Sequence, residues 1–391
     1  MTAPGINTEQ ERWIPDYRSN ASDGDAFRLG REPSLDGLRG LSILVVLGFN
    51  GHLQFLRGGF IGVDLFFVLS GFLITALLVQ EYRQTLSIRF RDFYIRRALR
   101  LFPALFALIL VCVVLSITQT PEKASGTMRG IFYTLIYAAN WAQVPPNPPG
   151  IGPLSHAWSL SVEEQFYIAW PLILFALLKI ETKWAILSVL SFMIAASIFV
   201  NVWLWRNEVP YLRMYFGTDT RANEILIGCV AALLLYWGWL KRTDPLKWVL
   251  HSAALAGLLF LAWCFFGLRH WGSFVYNGGF PLVALATAIL IADLMLFPSL
   301  ISRCFEFAPL VWFGKISYGL YLWHFPIFEA SRTFLEGRMS FAAYSLIGLA
   351  VTLLVTTASY YFLERPILKL KSRLRIQHDD TRFIMGSASS A

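Results

Sequence analysis

The sequence predicts an all-α protein, a polytopic membrane helix bundle with about ten transmembrane helices. Its 391 residues are 56% hydrophobic and only 15% charged. The mean hydropathy of +0.54 lies far above that of soluble domains. Apolar runs near the length of about 20 residues that a spanning helix needs recur along the chain. This composition excludes an ordinary soluble globular domain.

Ten apolar runs are long enough to predict spanning helices. They lie near residues 40–56, 60–80, 97–118, 162–179, 184–204, 221–240, 248–268, 277–297, 309–329 and 341–363. A shorter run at 131–141 is bounded by polar and proline-rich sequence, which predicts an interfacial helix within an external loop. We therefore expect loops that alternate between the two sides of a membrane.

The distribution of basic residues predicts that both termini are cytoplasmic. Short cytoplasmic loops carry the excess of Lys and Arg. In this orientation the inner segments hold 23 of the 33 basic residues. The net charge of +8 then reflects topology and attraction to anionic membrane lipids, so no nucleic-acid partner is inferred.

We expect one membrane domain over residues 34–368, between a polar cytoplasmic tail at 1–33 and a basic cytoplasmic tail at 369–391. The first tail lacks the basic, apolar and small-residue order of a cleaved signal peptide. The last six residues, GSASSA, resemble a linker or cloning remnant. The four cysteines show no C-x-x-C spacing, so neither a disulfide framework nor a metal site is predicted.

Polar side chains interrupt the start of the membrane domain at Asp36, Arg39, Asn50, His52 and Asp64. Such groups cost several kcal/mol at membrane depth unless they face a cavity or a partner. Arg39 and Asn50 are eleven positions apart, which puts them within about 20° on one helix face and roughly 16 Å apart. This predicts a charged group near the membrane edge and a polar group near its middle. The alternative is an interfacial Asp36–Arg39 ion pair.

Arg96, Arg97 and Arg100 precede the third predicted span in FYIRRALRLFP. Helical spacing lets their three guanidinium groups converge on a ligand with several phosphates. Coenzyme A, with its pyrophosphate and ribose phosphate, is a ligand of that kind at the inner face. The alternative is that the arginines anchor the cytoplasmic end of the helix.

Two later segments carry charge into predicted spans. SHAWSLSVEEQFYIAWP contains His156, Glu163 and Glu164, where a carboxylate could orient an imidazole or an acceptor hydroxyl. The alternative is a solvated helix start that favours acidic residues through the helix dipole. Arg221, in GTDTRANEILIGC, either pairs with its acidic neighbours or lines the same cavity.

The ninth predicted span contains a polar stripe. Ser317, Tyr318, Tyr321 and His324 recur at helical spacing in ISYGLYLWHFPI. The stripe either lines the cavity or holds the bundle together through interhelical hydrogen bonds.

Seven motifs together resemble one family. They are LDGLRG, GGFIGVDLFFVLSGFLIT, FYIRRALRLFP, WSLSVEEQFYIAWP, GTDTRANEILIG, ISYGLYLWHFPI and YYFLERPIL, in this order over residues 35–368. They closely resemble the membrane acyltransferase-3 family, which includes bacterial O-acyltransferases of surface sugars. The resemblance implies a bacterial cytoplasmic membrane, an acyl-CoA such as acetyl-CoA as the donor substrate, no bound cofactor, and a hydroxyl of a surface glycan or glycolipid as the acceptor.

The resemblance also implies roles for individual residues. Arg39 matches the family's arginine on the first span, and Asn50 stands where the family carries a catalytic His. Glu163 matches the family's Glu after Trp-Ser-Leu, and the three arginines of FYIRRALRLFP match its inner motif. Arg39, Asn50 and Glu163 are thus the expected catalytic positions, and the three arginines are the expected donor-binding residues.

The missing imidazole changes what can be expected of this chain. An amide side chain cannot take a proton from an attacking hydroxyl, whereas an imidazole can. His52 would lie on the opposite helix face, unless the helix unwinds near Gly48 and Gly51. The chain is therefore expected to be an acyltransferase in which Asn50 removes the base that the family uses. The alternative is a glycolipid or lipid carrier, or flippase, without acyl chemistry.

Acyl transfer from a thioester needs a base and stabilisation of the oxyanion, so no metal is expected. Tyr318, Tyr321 or His324 is the expected source of that stabilisation. Glu163 is expected to orient the base or the acceptor.

Overall fold

A computed structural model describes residues 29–30, 32–144, 146, 148–180, 182–240 and 242–368. These residues form α-helices, short 3-10 and π-helical segments and turns, without a β-strand among them. The all-α prediction is confirmed. Most of the predicted N-terminal tail and the whole tail at 369–391 lie outside the described residues.

The described α-helices are named in chain order. They are α1 (Pro33–Asn50), α2 (Gly62–Thr85), α3 (Phe90–Ser116), α4 (Pro121–Leu135), α5 (Trp158–Leu178), α6 (Lys183–Arg206), α7 (Tyr211–Phe216), α8 (Thr218–Tyr236), α9 (Asp244–Gly267), α10 (Phe280–Leu296), α11 (Leu300–Phe305), α12 (Ala308–Lys315), α13 (Ser317–Leu335) and α14 (Phe341–Ser359).

Seven helical segments of the described chain are long and apolar enough to cross a membrane. They are Gly59–Thr85, Phe90–Ser116, Gly152–Leu178, Lys183–Arg206, Asp244–Gly267, Val275–Leu296 and Phe341–Leu368. The prediction of a multi-pass membrane bundle is confirmed. The other three predicted spans fall on α1, α8 and the α12–α13 segment, where charged or polar side chains interrupt the apolar sequence. The count of ten spans and the location of the termini stay predictions.

Two predicted helices have different bounds. The run at 309–329 consists of α12 and α13, separated at Ile316, which has φ −97° and ψ 5°. The predicted interfacial helix at 131–141 is wrong in position, because α4 begins at Pro121 and ends at Leu135. Tyr137 has φ +54°, a left-handed conformation that a continuing helix cannot accommodate.

The first predicted span, 40–56, is also shorter than expected at its C-terminal end. Helix α1 ends at Asn50, Gly51 follows as the C-cap, and His52 has φ +55°. Two 3-10 turns, Gln54–Leu56 and Gly59–Ile61, then lead to α2. Asn50 is therefore the last residue of α1, rather than a residue within a longer helix.

The chain forms two compact units. The first unit comprises Met1–Ile88, Tyr133–Pro149 and Ala157–Lys315. Its helices approach one another through glycines. A Cβ atom on Gly71 of α2 would lie 1.9 Å from the Ile225 carbonyl oxygen, and one on Gly228 of α8 would lie 2.1 Å from the Val68 carbonyl oxygen. Helices α2 and α8 thus pack with their backbones in direct contact.

The second unit comprises Arg89–Phe132, Gly150–His156 and Ile316–Ala391. Within it α13 packs against α14 and α3. Helix α14 continues into a π-helical segment, Tyr360–Glu364. The Ser359 hydroxyl donates a hydrogen bond to Glu364 Oε1 over 3.1 Å.

Candidate active site

A buried ion pair joins two helices of the first unit. The Nη2 atom of Arg221 on α8 lies 3.0 Å from Oδ1 of Asp64 on α2. The same Nη2 atom lies 3.4 Å from Oε2 of Glu224. All three side chains have no exposed surface. The sequence left two alternatives open for Arg221, and the structure shows that it pairs with Glu224 and also with Asp64, 157 positions away.

Aromatic rings enclose this cluster. The Cζ atom of Arg221 lies 3.7 Å from the ring centroid of Phe280 and between 5.5 and 5.7 Å from those of Tyr215, Phe67 and Trp158. Cation–π attraction strengthens when the cation is removed from water. The rings therefore both shield the guanidinium group from solvent and stabilise its charge.

The cluster contains two carboxyl groups and one guanidinium group. Within the described residues, the Oδ2 atom of Asp64, the Nε and Nη1 atoms of Arg221 and both carboxyl oxygens of Glu224 are buried and make no hydrogen bond. Buried polar groups normally find partners, in protein or in ordered water. The cluster thus contains hydrogen-bonding atoms that its contacts within the described residues leave unsatisfied.

Glu163 is held by a side chain of α2. The Ser70 hydroxyl donates a hydrogen bond to Glu163 Oε1 over 2.7 Å. Helix α5 begins at Trp158, so Glu163 and Glu164 lie in its second turn. Glu164 is buried, and Glu163 is partly exposed. The alternative from the sequence, a fully solvated helix start, therefore does not describe these two carboxyl groups.

The three polar residues of α1 have different surroundings. Asn50 donates a hydrogen bond from Nδ2 to the Val46 carbonyl oxygen over 3.0 Å. The Nε atom of Arg39 is buried and makes no hydrogen bond within the described residues, and Asp36 is partly exposed. Among the described residues, Asp36 and Arg39 do not form the ion pair that their spacing permits. His52 lies after the end of α1 and is exposed, so the expectation that it lies on the opposite face of a continuing helix is wrong.

Arg96, Arg97 and Arg100 lie in the first turns of α3, in the second unit. Arg96 and Arg97 are partly exposed and Arg100 is exposed. Because α3 is continuous from Phe90, Arg96 and Arg100 follow one another on the same helix face. The charge of Arg100 interacts with the carboxyl group of Glu364. Donor binding by these arginines stays a prediction.

His156 and α13 form a second cluster, also within the second unit. The Nε2 atom of His156 lies 3.1 Å from the Leu322 carbonyl oxygen, and the Tyr321 hydroxyl donates to the His156 carbonyl oxygen over 2.6 Å. The His156 and His324 ring centroids are 5.5 Å apart. The Nδ1 atom of His324 lies 2.7 Å from the Tyr321 carbonyl oxygen. Two buried imidazoles and one phenol thus share a site.

The rest of the predicted stripe on α13 has structural contacts. The Tyr318 hydroxyl donates to the Leu101 carbonyl oxygen of α3 over 2.9 Å. Ser317 is buried at the start of α13. Tyr318 therefore forms the interhelical hydrogen bond that the sequence offered as the alternative to lining a cavity.

Two histidines of the first unit escaped the sequence analysis. His251 on α9 is paired through Nδ1 with Oδ1 of the buried Asp293 on α10. An ionisable residue inside an apolar span was the signal that could have identified Asp293. His270 lies after α9, with its ring centroid 6.0 Å from that of Phe49. No local pattern marked His270, because Phe49, Phe60 and Tyr211 reach its ring from distant parts of the chain.

The predicted site residues fall into two sets, each within one unit. The first unit contains Asp36, Arg39, Asn50, His52, Asp64, Glu163, Glu164 and Arg221. The second unit contains Arg96, Arg97, Arg100, His156, Ser317, Tyr318, Tyr321 and His324. Among the described residues, no group of three His, Cys, Asp or Glu side chains is arranged to hold a metal ion.

Comparison with known proteins identifies the family. A family model described as "Acyltransferase domain" matches residues 32–363. The chain is 36% identical over 349 residues to the peptidoglycan O-acetyltransferase OatA of Listeria monocytogenes, over 86% of this chain and 56% of that protein. It is 36% identical over 347 residues to the O-acetyltransferase OatA of Staphylococcus aureus, over 86% of this chain and 57% of that protein.

The chain therefore spans little more than half the length of these relatives. No solved structure matches it. The resemblance inferred from seven short motifs is confirmed, because the family match covers all the described helices except the last turns of the final one. The chain belongs to the acyltransferase-3 family.

Proposed function

We propose that this chain is a membrane O-acyltransferase that transfers an acyl group from an acyl-CoA to a hydroxyl of a bacterial surface glycan. The observation that carries the proposal is that the acyltransferase match extends over residues 32–363, which contain the apolar helices themselves. The activity is thus assigned to the membrane bundle. The relatives are named for O-acetylation, and one of them for peptidoglycan, so acetyl is the proposed group and peptidoglycan the proposed acceptor.

The donor's phosphates are assigned to the arginines at the start of α3. Arg96 and Arg97 are partly exposed, and Arg100 is exposed. Guanidinium groups bind phosphate through paired, charge-assisted hydrogen bonds. The interaction of Arg100 with Glu364 gives that arginine a carboxylate partner. We assign the phosphate binding to Arg96, Arg97 and Arg100 together.

The acceptor hydroxyl is assigned to the end of α1 and to Glu163. The hydrogen bond from Ser70 fixes one oxygen of the Glu163 carboxyl group, which suits a residue that orients another group. Asn50 uses its amide nitrogen on the Val46 carbonyl oxygen. Its amide can position a hydroxyl but cannot accept the hydroxyl proton. Arg39, with its enclosed Nε atom, supplies positive charge to the same helix.

The proposed location is a bacterial cytoplasmic membrane with both termini inside. The excess of Lys and Arg in alternate loops supports this orientation. Acyl-CoA is then taken up from the cytoplasmic side, where the arginines of α3 lie in this topology, and the glycan is modified outside.

The proposal is tested with membranes that contain the chain, radiolabelled acetyl-CoA and solubilised peptidoglycan fragments. We expect label in the glycan that mild alkali releases, as from an ester. Membranes from cells without the chain are the control. A lipid carrier without acyl chemistry is the second candidate, favoured by the amide at position 50. It predicts no alkali-labile label from the parent chain or from Asn50→His, together with unchanged lipid translocation in the two.

A further inference from the structure

We propose that His270 supplies the base for acyl transfer in this chain. The inference rests on the proposed function and assigns a residue that sequence reasoning did not select. Transfer to a hydroxyl is accelerated when a positioned group removes the hydroxyl proton during attack. Asn50 cannot do so, since its side chain is an amide. The question is which imidazole of the first unit lies near the end of α1.

The described residues contain five of the six histidines, namely His52, His156, His251, His270 and His324. His156 and His324 belong to the second unit. His251 belongs to the first unit, but it lies near the start of α9, and the helix runs roughly 24 Å further before it ends at Gly267. His52 and His270 are left as the histidines of the first unit near the end of α1.

The loop that carries His270 is joined to the segment that follows α1. The backbone N–H of Gly58 donates to the Phe265 carbonyl oxygen of α9 over 2.9 Å. A Cβ atom on Gly58 would lie 1.8 Å from the Cys264 carbonyl oxygen, so the two backbones are in direct contact. This contact fixes the end of α9 beside the turn after α1. His270 follows three residues after the end of α9.

The His270 ring itself packs against the end of α1. Its centroid lies 6.0 Å from that of Phe49 and 6.1 Å from that of Phe60, both in edge-to-face geometry. Phe49 directly precedes Asn50 in the sequence. The imidazole thus packs against the residue that directly precedes the position that the family resemblance assigns to the base.

Other residues also hold His270 in place. The Tyr276 hydroxyl donates to the His270 carbonyl oxygen over 2.6 Å. The Tyr211 ring lies 5.7 Å from the imidazole, and the Trp271 ring 4.4 Å. A base held by its backbone and by surrounding rings loses little entropy when the substrate binds.

The surroundings favour the form that can accept a proton. Burial lowers the pKa of His270 below its usual value. The ring is faced by Phe49 from α1, Phe60 from the 3-10 turn, Tyr211 from α7 and the adjacent Trp271. The neutral imidazole therefore prevails at pH 7, and it has the lone pair that a base needs.

The reaction step balances without another reactant. The imidazole of His270 takes the proton of the acceptor hydroxyl while the hydroxyl oxygen bonds to the carbonyl carbon of the acyl thioester. The carbon–sulfur bond then breaks, and the proton passes from the imidazolium to the leaving thiolate. The products are the O-acyl ester and the free thiol, and His270 returns to its neutral form.

The test compares the parent chain with His270→Gln, His52→Gln, Asn50→His and the double variant Asn50→His/His270→Gln. Transfer of radiolabel from acetyl-CoA to peptidoglycan fragments is measured, with thermal unfolding in detergent as the check on folding. We expect His270→Gln to lower the rate about 100-fold or more. We expect His52→Gln to stay within about 3-fold of the parent, and the double variant to recover to within about 10-fold, which damage to folding would not permit.

Each other result has a stated meaning. The inference is overturned if the parent chain is active and the transfer rate of His270→Gln lies within about 3-fold of it. It is also overturned if His52→Gln, instead of His270→Gln, loses the transfer activity. Transfer by Asn50→His but not by the parent overturns the inference and keeps the proposed function. No transfer by the parent or by Asn50→His overturns both.

Discussion

Arg221 on α8 and Asp64 on α2 form an ion pair of 3.0 Å between side chains that have no exposed surface. The two residues are 157 positions apart, and each lies in a stretch that resembles a family motif. Breaking a buried ion pair is costly, because one charge is left without compensation. The pair therefore fixes α2 against α8 and makes the first unit sensitive to the loss of either partner.

The carboxyl groups of Asp64 and Glu224 lie at different distances from Arg221, and this difference gives the first prediction. Arg221→Gln leaves Asp64 and Glu224 without a cation, and we expect it to lower the free energy of unfolding by about 3–5 kcal/mol. Glu224→Gln leaves the 3.0 Å pair intact, and we expect a loss of about 1 kcal/mol or less. Thermal unfolding in detergent measures both. Equal losses would show that the cluster acts as one ionic unit.

The contact between α2 and α8 gives a second prediction. Gly228→Ala would place a Cβ atom 2.1 Å from the Val68 carbonyl oxygen, so the backbones must separate. We expect a loss of about 1–3 kcal/mol. Gly257→Ala on α9 is the matched control, because its nearest atom would lie 3.4 Å away. We expect that change to be neutral or to stabilise by up to about 1 kcal/mol. If both variants unfold like the parent, the close packing of α2 and α8 is wrong.

Donor binding gives a third prediction. Arg97→Ala removes a charge-assisted contact with a phosphate, and we expect the affinity for acetyl-CoA to fall by about 10- to 100-fold. Arg91→Ala is the control, because Arg91 is an exposed arginine at the start of the same helix. Calorimetric titration of the purified protein measures both affinities. An undiminished affinity in Arg97→Ala, or an equal loss in Arg91→Ala, would contradict the assignment.

The state of His270 gives a fourth prediction. Burial lowers its pKa below the usual 6.5, and only the neutral imidazole accepts a proton. Protonation at low pH therefore removes the base, and kcat/KM should rise with pH through a point below 6.5 and then level off. The profile from about pH 5 to pH 8 is the measurement. A midpoint at or above pH 6.5 would assign the titration to another group. The same rise of kcat/KM with pH in His270→Gln would do so too.

The all-α fold class and the family were predictable from the sequence, because the fold class depends on local composition and the family on motifs in a fixed order. The apolar runs predicted α2, α6, α9 and α10 closely. The end of α1 was not predictable from hydropathy, since apolar residues continue beyond Asn50. The left-handed conformation of His52 after Gly51 ends the helix there.

The partners of single polar residues were less predictable than the residues themselves. Asp64 and Arg221 were selected because charge inside apolar sequence requires compensation. Their pairing depends on a backbone contact between α2 and α8, which local sequence does not encode. His270 was missed for the same reason, because Phe49, Phe60 and Tyr211 meet its ring from segments that are distant in the chain.

The central claim is that this bundle transfers an acyl group to a hydroxyl across a membrane. Its most direct test is reconstitution of the chain in vesicles that contain radiolabelled acetyl-CoA, with peptidoglycan fragments outside. The account predicts alkali-labile label on the outer glycan, released together with free thiol inside, and dependent on the chain. Vesicles in which the parent chain and Asn50→His leave all acetyl-CoA intact and the glycan unlabelled would contradict it.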